Sequence, residues 1–271
     1  AAGLSQRIMP VACAQIGGDE GDESIADPPL PAELSGPVDL LLLEPHFTVL
    51  RGSWAGPHLA ELVRRRRWAE GVGVVRRSTP MLPHAARCFA VLLECPLLSA
   101  RHRPVSHVEG FDFRAFNALA GGAAPFGASP LALPLWQFAH RPLSEPFEWA
   151  RTALPADADA NRLRGRVAPA VLHGGGTCHA LAVWVDFDLG AACMRTGARP
   201  VDGTGDGAPL SAPTAWPQAI LLLPDPLALP SAGTTLTGSD AGVLQLELEL
   251  DLECGDVRLL HAGSGGGTVV R

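Results

Sequence analysis

The chain has 271 residues, a formal net charge of −7 and an isoelectric point near 5.7. This length can bury a large core in one or two domains, and the acidic balance argues against binding nucleic acid through bulk electrostatics. No apolar run reaches membrane-spanning length, and six scattered cysteines without a C-x-x-C pair favour free thiols in a reducing compartment, cytoplasmic or nuclear.

The front of the chain is predicted to be a short strand at 7–14, an acidic loop at 17–35 and then the run V-D-L-L-L-L-E-P at 38–45. A short apolar run between prolines is typical of a strand buried on both faces of a parallel sheet, although a buried helical segment has the same pattern. Glu44 stands at the carboxyl end of this strand, where ligands collect in such sheets. From spacing alone, it is either a site residue or a solvated strand-end residue.

A helix is predicted from His58 to Ala69, with Pro57 in its first turn. The run of four arginines at 64–67 is predicted to wrap the exposed side of this helix. Such a run could bind phosphate or nucleic acid, but a solvated helix face is the favoured interpretation.

Beyond residue 80 the pattern changes to β. The clearest alternation is at 243–253, where leucines 244, 246, 248, 250 and 252 are predicted to point inward and the polar residues between them outward. The turn at Gly255-Asp256 then allows residues 257–260 to pair back as a hairpin. A second alternating run covers 179–189, and the run A-R-C-F-A-V-L-L-E-C at 86–95 is predicted to be a strand that ends before Pro96. The prediction is an antiparallel barrel or sandwich in which each sheet has one buried and one solvent-exposed face.

Two short motifs carry little weight. The run H-G-G-G at 173–176 imitates a lipase oxyanion loop, but no G-x-S-x-G accompanies it and a hairpin turn is favoured. The run at 202–206 lacks the twelve-residue calcium pattern, and no histidine or cysteine set has metal-ligand spacing, so no metal site is predicted.

Several stretches, in this order, resemble the protein arginine methyltransferases, most of all the carboxyl-terminal (second) module of their tandem-module type III members. They are L-L-L-E-P-H-F-T (41–48), M-L-P-H-A-A (81–86), E-G-F-D-F (109–113), P-L-W-Q-F-A-H-R-P-L-S-E-P-F (134–147), C-H-A-L-A-V-W-V-D-F (178–187) with R-T-G (195–197), and T-A-W-P-Q-A (214–219).

The resemblance implies an α+β fold: a truncated Rossmann-like methyltransferase layer, then an antiparallel β-barrel with an inserted helical dimerisation arm. The implied boundaries are 1–80 for the partial S-adenosylmethionine-methyltransferase domain and 81–271 for the β-barrel, with the arm at about 109–140. The chain is expected to begin within this architecture, as a fragment would.

The implied chemistry is methyl transfer from S-adenosyl-L-methionine to a guanidinium nitrogen of a protein substrate. In the family, two glutamates grip the guanidinium, and a Thr-His-Trp loop lies beside it. Glu44 matches the first glutamate, but Ser53 stands near the position of the second. Thr214 and Trp216 match the loop as substrate-binding residues, with Ala215 in place of histidine. The glycine-rich turn that seats the cofactor has no counterpart, so cofactor-binding residues are unknown.

We therefore expect a degenerate second module that supports a catalytic first module and is inactive alone, with doubtful binding of S-adenosylmethionine. The implied partners are Arg/Gly-rich or histone proteins, and a first methyltransferase module or a second copy bound through the arm, without membrane or nucleic acid. Two alternatives stay open: a non-catalytic pseudoenzyme or scaffold, and an all-β binding module.

Overall fold

A computed structural model of the chain describes residues 37–47, 50–119, 130–154, 160–172, 175–197, 199–200, 210–211, 216–229 and 244–264. The predicted strand at 7–14 and loop at 17–35 lie outside these ranges. The helices are α1 (Ala55–Gly71), α2 (Pro96–His102) and α3 (Arg114–Leu119), with a 3-10 turn at Leu135–Gln137. The strands are β1 (Leu41–Leu42), β2 (Met81–Leu82), β3 (Ala85–Glu94), β4 (His107–Val108), β5 (Phe111–Asp112), β6 (Leu131–Leu133), β7 (Arg141–Pro142), β8 (Phe147–Ala153), β9 (Arg162–Val167), β10 (Gly176–Asp188), β11 (Cys193–Met194), β12 (Arg199–Pro200), β13 (Leu210–Ser211), β14 (Gln218–Leu229), β15 (Leu244–Asp251) and β16 (Val257–Ser264).

The front layer is a β-α-β unit. Strands β1 and β2 pair in parallel, and α1 is the crossover between them. This confirms α/β character at the front. The predicted strand over 38–45 is wrong in extent, because only Leu41 and Leu42 form it and Leu42 is 63% exposed. A run of leucines shows that a segment is apolar, but it does not show whether one or both faces of the strand are covered by other elements.

Helix α1 is the longest helix of the described chain, and its buried positions follow helical spacing. Leu59, Leu62, Val63 and Ala69 are buried in the core. The arginine run does not lie wholly on the exposed side as predicted: the Arg66 side chain is buried, paired with Glu70 and donating to the carbonyls of residues 76 and 77. Its long stem packs like an apolar residue, while its guanidinium ties the helix to the segment that enters β2.

The described β part contains two larger antiparallel sheets and two short antiparallel pairs, β4–β5 and β12–β13. The larger has the order β6-β14-β10-β3, and β3 also pairs with β7 and β8. The smaller has the order β16-β15-β9. All five predicted inward leucines of 244–252 are buried, and β15 and β16 form the predicted hairpin. Strand β10 differs from the one-face prediction, because Val183 and Trp184 are both buried, on opposite faces.

The smaller sheet carries a charge ladder. Arg164 of β9 stands opposite Glu249 of β15 and pairs with it at 2.5 Å, and Arg166 pairs with Glu247 at 2.9 Å. Glu249 was predicted to point into water, yet it is buried beneath the arginines of the neighbouring strand. Cross-strand pairs of this kind fix the register of two strands.

The sheets pack around one core but do not form the predicted closed barrel among the described residues. Strands β8 and β9 lie side by side at the point where closure would occur. A side chain at Gly165 would overlap the Trp149 carbonyl, so the strands touch there, yet no backbone ladder joins them. The fold is therefore a sheet-rich α+β arrangement with an open seam.

A long excursion separates β3 from β7. The chain leaves β3 at Glu94, joins the far edge of the same sheet as β6, and pairs with β3 again at Arg141. Glu94 and Arg141 are in register, and their side chains form an ion pair at 2.6 Å. Helices α2 and α3 lie in this excursion, and nearly all described residues from 101 to 119 are exposed. The domain and arm boundaries given above stay predictions. No described helix combines the length and the apolar character needed to cross a membrane.

Candidate functional site

The candidate site centres on the loop between β1 and α1, residues 43–54, of which 48 and 49 lie outside the described ranges. Exposure alternates along its first half: Glu44 and His46 are exposed, whereas Pro45 and Phe47 are buried. Burial of the proline and the phenylalanine anchors the loop, so the carboxylate and the imidazole between them face outward. The exposure of Glu44 fits both interpretations given above, a site residue and a solvated strand-end residue.

His58 of α1 holds this loop in place. Its Nδ1 accepts a hydrogen bond from the backbone N–H of Phe47 at 3.0 Å, and the residue is only 1% exposed. An accepting nitrogen carries no proton, so this contact requires the neutral imidazole. The Phe47 ring lies nearly parallel to the imidazole, with centroids 6.0 Å apart.

The environment of His58 stabilises this neutral form. Burial and the nearby His46 lower the pKa of His58 from 6.5 to about 4, against smaller opposing effects of a backbone hydrogen bond at Leu50 and the charge of Glu61. His58 is therefore uncharged at neutral pH, and the hydrogen bond to Phe47 is intact there.

Trp216 meets the loop from the β part of the chain. Its ring centroid lies 4.7 Å from that of His58 and 5.3 Å from that of His46, in edge-on geometry with both. The structure thus brings together two segments, the Glu44 loop and the Trp216 segment, that are more than 160 residues apart in sequence. Thr214 and Ala215 lie outside the described residues.

A second free carboxylate is not found near Glu44 in the described loop. Ser53, which the resemblance puts near the position of the second glutamate, donates its backbone N–H to the Leu50 carbonyl at 2.9 Å. The next acid, Glu61, receives hydrogen bonds on both oxygens from Arg64 and Arg65, at 2.7 to 2.9 Å. Burial raises the pKa of the Glu61 carboxyl, but these two guanidinium groups outweigh it and bring the pKa below its ordinary value.

Arg65 also contacts the loop. Its guanidinium carbon lies 4.5 Å from the centroid of the Phe47 ring while its Nε donates to Glu61 at 2.7 Å. An acid and an aromatic face together form a favourable environment for a guanidinium. The chain fills this environment with its own arginine, so Glu61 is already occupied and is not a substitute for the missing second glutamate.

The N-terminal end of α1 lies directly after the Glu44 loop. A helix N-terminus favours an anionic group, but this helix follows the Glu44 strand and not the glycine-rich turn that seats the cofactor in the family. The start of α1 is also covered: a side chain at Gly56 would overlap the Trp54 ring and the Gly255 carbonyl, and one at Gly255 would overlap Pro57. The β15–β16 turn thus packs directly on this helix end and leaves no room for a ligand there.

No cluster of three or more histidine, cysteine, aspartate or glutamate side chains suited to a metal occurs within the described ranges. The described thiols are all free, and burial raises the pKa of Cys178 to about 12, so that thiol stays protonated.

Comparison with known proteins gives the relationship. No protein-family model matches the chain. It is 34% identical over 113 residues to protein arginine N-methyltransferase 7 of Drosophila yakuba, covering 41% of this chain and 16% of that protein. Against the Drosophila simulans protein of the same name it is 30% identical over 152 residues, covering 55% and 20%. The chain is a relative of the protein arginine N-methyltransferases.

The fold agrees with this relationship. A solved structure of the Trypanosoma brucei PRMT1 enzyme-prozyme heterotetrameric complex with AdoHcy superposes with a TM-score of 0.54 at 16% identity, covering 86% of this chain and 66% of that one. At this identity the likeness concerns the fold alone. The chain spans about a fifth or less of the length of the curated arginine methyltransferases it matches.

Sequence reasoning missed three contributors to the site of this methyltransferase relative. His58 was read only as part of a helix, although a histidine four residues into an apolar helix is unusual enough to suggest a buried polar contact. The Glu61–Arg65 pair has the (i, i+4) spacing that predicts an ion pair. Gln218 gave no signal, because its contacts depend on tertiary structure.

The buried neutral His58 predicts a pH-dependent stability. The unfolded chain takes up a proton near pH 6.5, while the folded chain resists it until about pH 4. The stability linked to His58 is thus fully present above pH 6.5 and is lost as the pH falls towards 4. His58→Asn keeps an acceptor for the Phe47 N–H but does not titrate. Urea unfolding should show a wild-type loss on the order of 3 kcal/mol larger than that of His58→Asn over this range. If the free energy of unfolding falls equally with pH in the two proteins, the assignment of the pH dependence to His58 is wrong.

Proposed function

We propose that this chain is a degenerate second module of a protein arginine N-methyltransferase, one that supports a catalytic first module and does not transfer methyl groups itself. The observation that carries the proposal is that, of Glu44 and the next acidic residue along the chain, Glu61, only Glu44 has an exposed carboxylate. Glu44 is exposed at the site loop, and Glu61 is already bound by two arginines of its own helix.

The chemistry of the transfer explains why one carboxylate is too few. A guanidinium is a poor nucleophile because its lone pairs are delocalised over three nitrogens. Two carboxylates bind it from two sides, fix one nitrogen in line with the methyl donor and favour localisation of a lone pair on that nitrogen. Glu44 alone leaves the guanidinium free to rotate, and small errors in placement cost about 10²-fold in rate.

The binding of the methyl donor supports the same proposal. S-adenosylmethionine supplies the methyl group in this family, and the glycine-rich turn that seats it there has no counterpart in this sequence. We therefore assign no transfer step to this chain. What the loop retains is the exposed carboxylate of Glu44, and a carboxylate suits docking of a cationic side chain.

Arg/Gly-rich or histone proteins are the substrates that we propose for the whole enzyme. The net charge of −7 supports encounter with such basic partners through long-range attraction. The free thiols support a reducing compartment, cytoplasmic or nuclear. A scaffold that never served an active enzyme remains the nearest alternative. The all-β binding module is disfavoured by the parallel β1–β2 pair and its crossover helix.

The arm is the part that we propose to bind a first methyltransferase module, or a second copy of the chain. Its described residues bury almost nothing, yet they include large apolar side chains: Phe111 is 70% exposed and Phe116 is 60% exposed. Val105 and Val108 add to this surface. Clustered exposed apolar side chains on a protrusion are typical of an interaction surface.

Methyl transfer tests the assignment at Glu44. The isolated chain, given radiolabelled S-adenosylmethionine and an Arg/Gly-rich peptide, should incorporate no label above background, and Glu44→Gln should leave that result unchanged. Measurable transfer that falls by about 10²–10³-fold in Glu44→Gln would contradict the proposal, since that is the loss expected when one preorganised electrostatic contact is removed from an active site. Glu145→Gln, remote in sequence, is the control.

Sedimentation tests the arm. Replacing Phe111 and Phe116 by serine should abolish self-association, or association with an added first module, because both rings would leave water on binding. Val72→Ser removes an apolar side chain that is 40% exposed just after α1, away from the arm, and should have no effect. If the protein with serine at both Phe111 and Phe116 still sediments with the partner as the wild type does, the arm is not the binding surface.

A further inference from the structure

Gln218, at the start of β14, is a fully buried amide outside the residues assigned above. A buried amide destabilises a fold unless its donors and acceptor are satisfied. Here the side chain is hydrogen-bonded to three separate backbone segments, so its role goes beyond filling space.

The three contacts use both ends of the amide. Oε1 accepts from the backbone N–H of Leu135 at 3.0 Å. Nε2 donates to the carbonyl of Trp216 at 2.7 Å and to that of Thr196 at 3.1 Å. One acceptor and two donor hydrogens are thereby all engaged, which only an amide can do at this position.

The segments that Gln218 joins lie in different parts of the molecule. Leu135 begins the 3-10 turn where the chain returns from the arm. Thr196 is itself fixed to β10, because its N–H donates to Asp186 at 3.0 Å and its hydroxyl donates to the Val185 carbonyl at 2.7 Å. Trp216 is the residue whose ring contacts His46 and His58. The amide therefore connects a rigid strand and the arm return to the candidate site.

Trp216 has a ring that is only partly buried, so packing alone constrains it less than it constrains a core side chain. Its carbonyl is held by Gln218, two residues further along the chain. Because Thr196 is anchored to β10, the amide transmits the rigidity of that strand to the Trp216 backbone.

We propose that Gln218 is a positioning residue that sets the Trp216 ring against His58 and His46 at the Glu44 loop. The functional meaning of this contact rests on the function proposed above, whereas the contact itself does not. The proposal therefore requires a readout of ring position that is independent of any methyl transfer.

Nuclear magnetic resonance supplies that readout. In the wild-type chain, the ring protons of His58 should show Overhauser contacts to the Trp216 indole and a ring-current shift. Gln218→Met keeps the shape of the side chain but removes its hydrogen bonds, and should abolish both signals. Gln137→Met, at an exposed glutamine of the neighbouring 3-10 turn, should leave both intact.

A second variant separates the two ends of the amide. Gln218→Glu keeps an acceptor for the Leu135 N–H and, whether it is ionised or kept protonated by burial, has at most one donor for the Thr196 and Trp216 carbonyls. It should retain slow hydrogen exchange at the Leu135 amide while losing the His58–Trp216 contacts. The amide signals of β15 and β16 report whether each variant is folded.

Three outcomes would overturn the proposal. The first is the absence of His58–Trp216 contacts in the wild-type chain, which needs no variant to observe. The second is a folded Gln218→Met or Gln218→Glu protein in which these contacts persist, since the amide would then only stabilise the core. The third is a loss of the contacts in Gln137→Met as well. If the contacts behave as expected and Glu44 nevertheless proves catalytic, the proposed function fails while the positioning role stands.

Discussion

The hydrogen bond from the Phe47 backbone to the neutral imidazole of His58 is the interaction on which the candidate site depends. It fixes the loop after β1 to the crossover helix, so that Glu44 faces outward instead of packing against the strand. It also places the imidazole where the Trp216 ring can meet it. Burial, which costs a charged histidine much free energy, keeps this imidazole in the accepting form. Without that bond, the front layer and the β part would share packing but no ordered site.

A second constraint comes from arginine, the only strongly basic residue type in the chain. The consecutive arginines of α1 have different tasks: Arg64 and Arg65 bind Glu61, and Arg66 is buried beneath the segment that enters β2. The chain thus satisfies its own acids and carbonyls with its own guanidinium groups. In a protein descended from enzymes that grip arginine with acids, this internal pairing leaves Glu44 as the exposed carboxylate of the loop.

The sequence was a good guide where periodicity decides the structure. Leucines at every second position from 244 to 252 predicted a strand with one buried face, because side chains alternate along an extended chain. It failed where a tertiary neighbour decides: Leu42 lacks one, so its strand is short, and Glu249 is buried by arginines of β9. The meeting of the Glu44 loop with Trp216 followed from family resemblance and not from periodicity. The role of Gln218 could not be predicted from the sequence. All three of its partners are backbone groups, which have no residue-specific signature, and two of them are distant in sequence.

The central proposal is that this chain keeps one of the two glutamates that bind a guanidinium and lacks the glycine-rich turn that seats the methyl donor. Calorimetric titration of the isolated chain with S-adenosylhomocysteine tests it most directly, with an active protein arginine methyltransferase in the same buffer as the control. The account predicts saturable heat for the control and none for this chain at micromolar concentrations. A saturable isotherm with a micromolar Kd for this chain would contradict it.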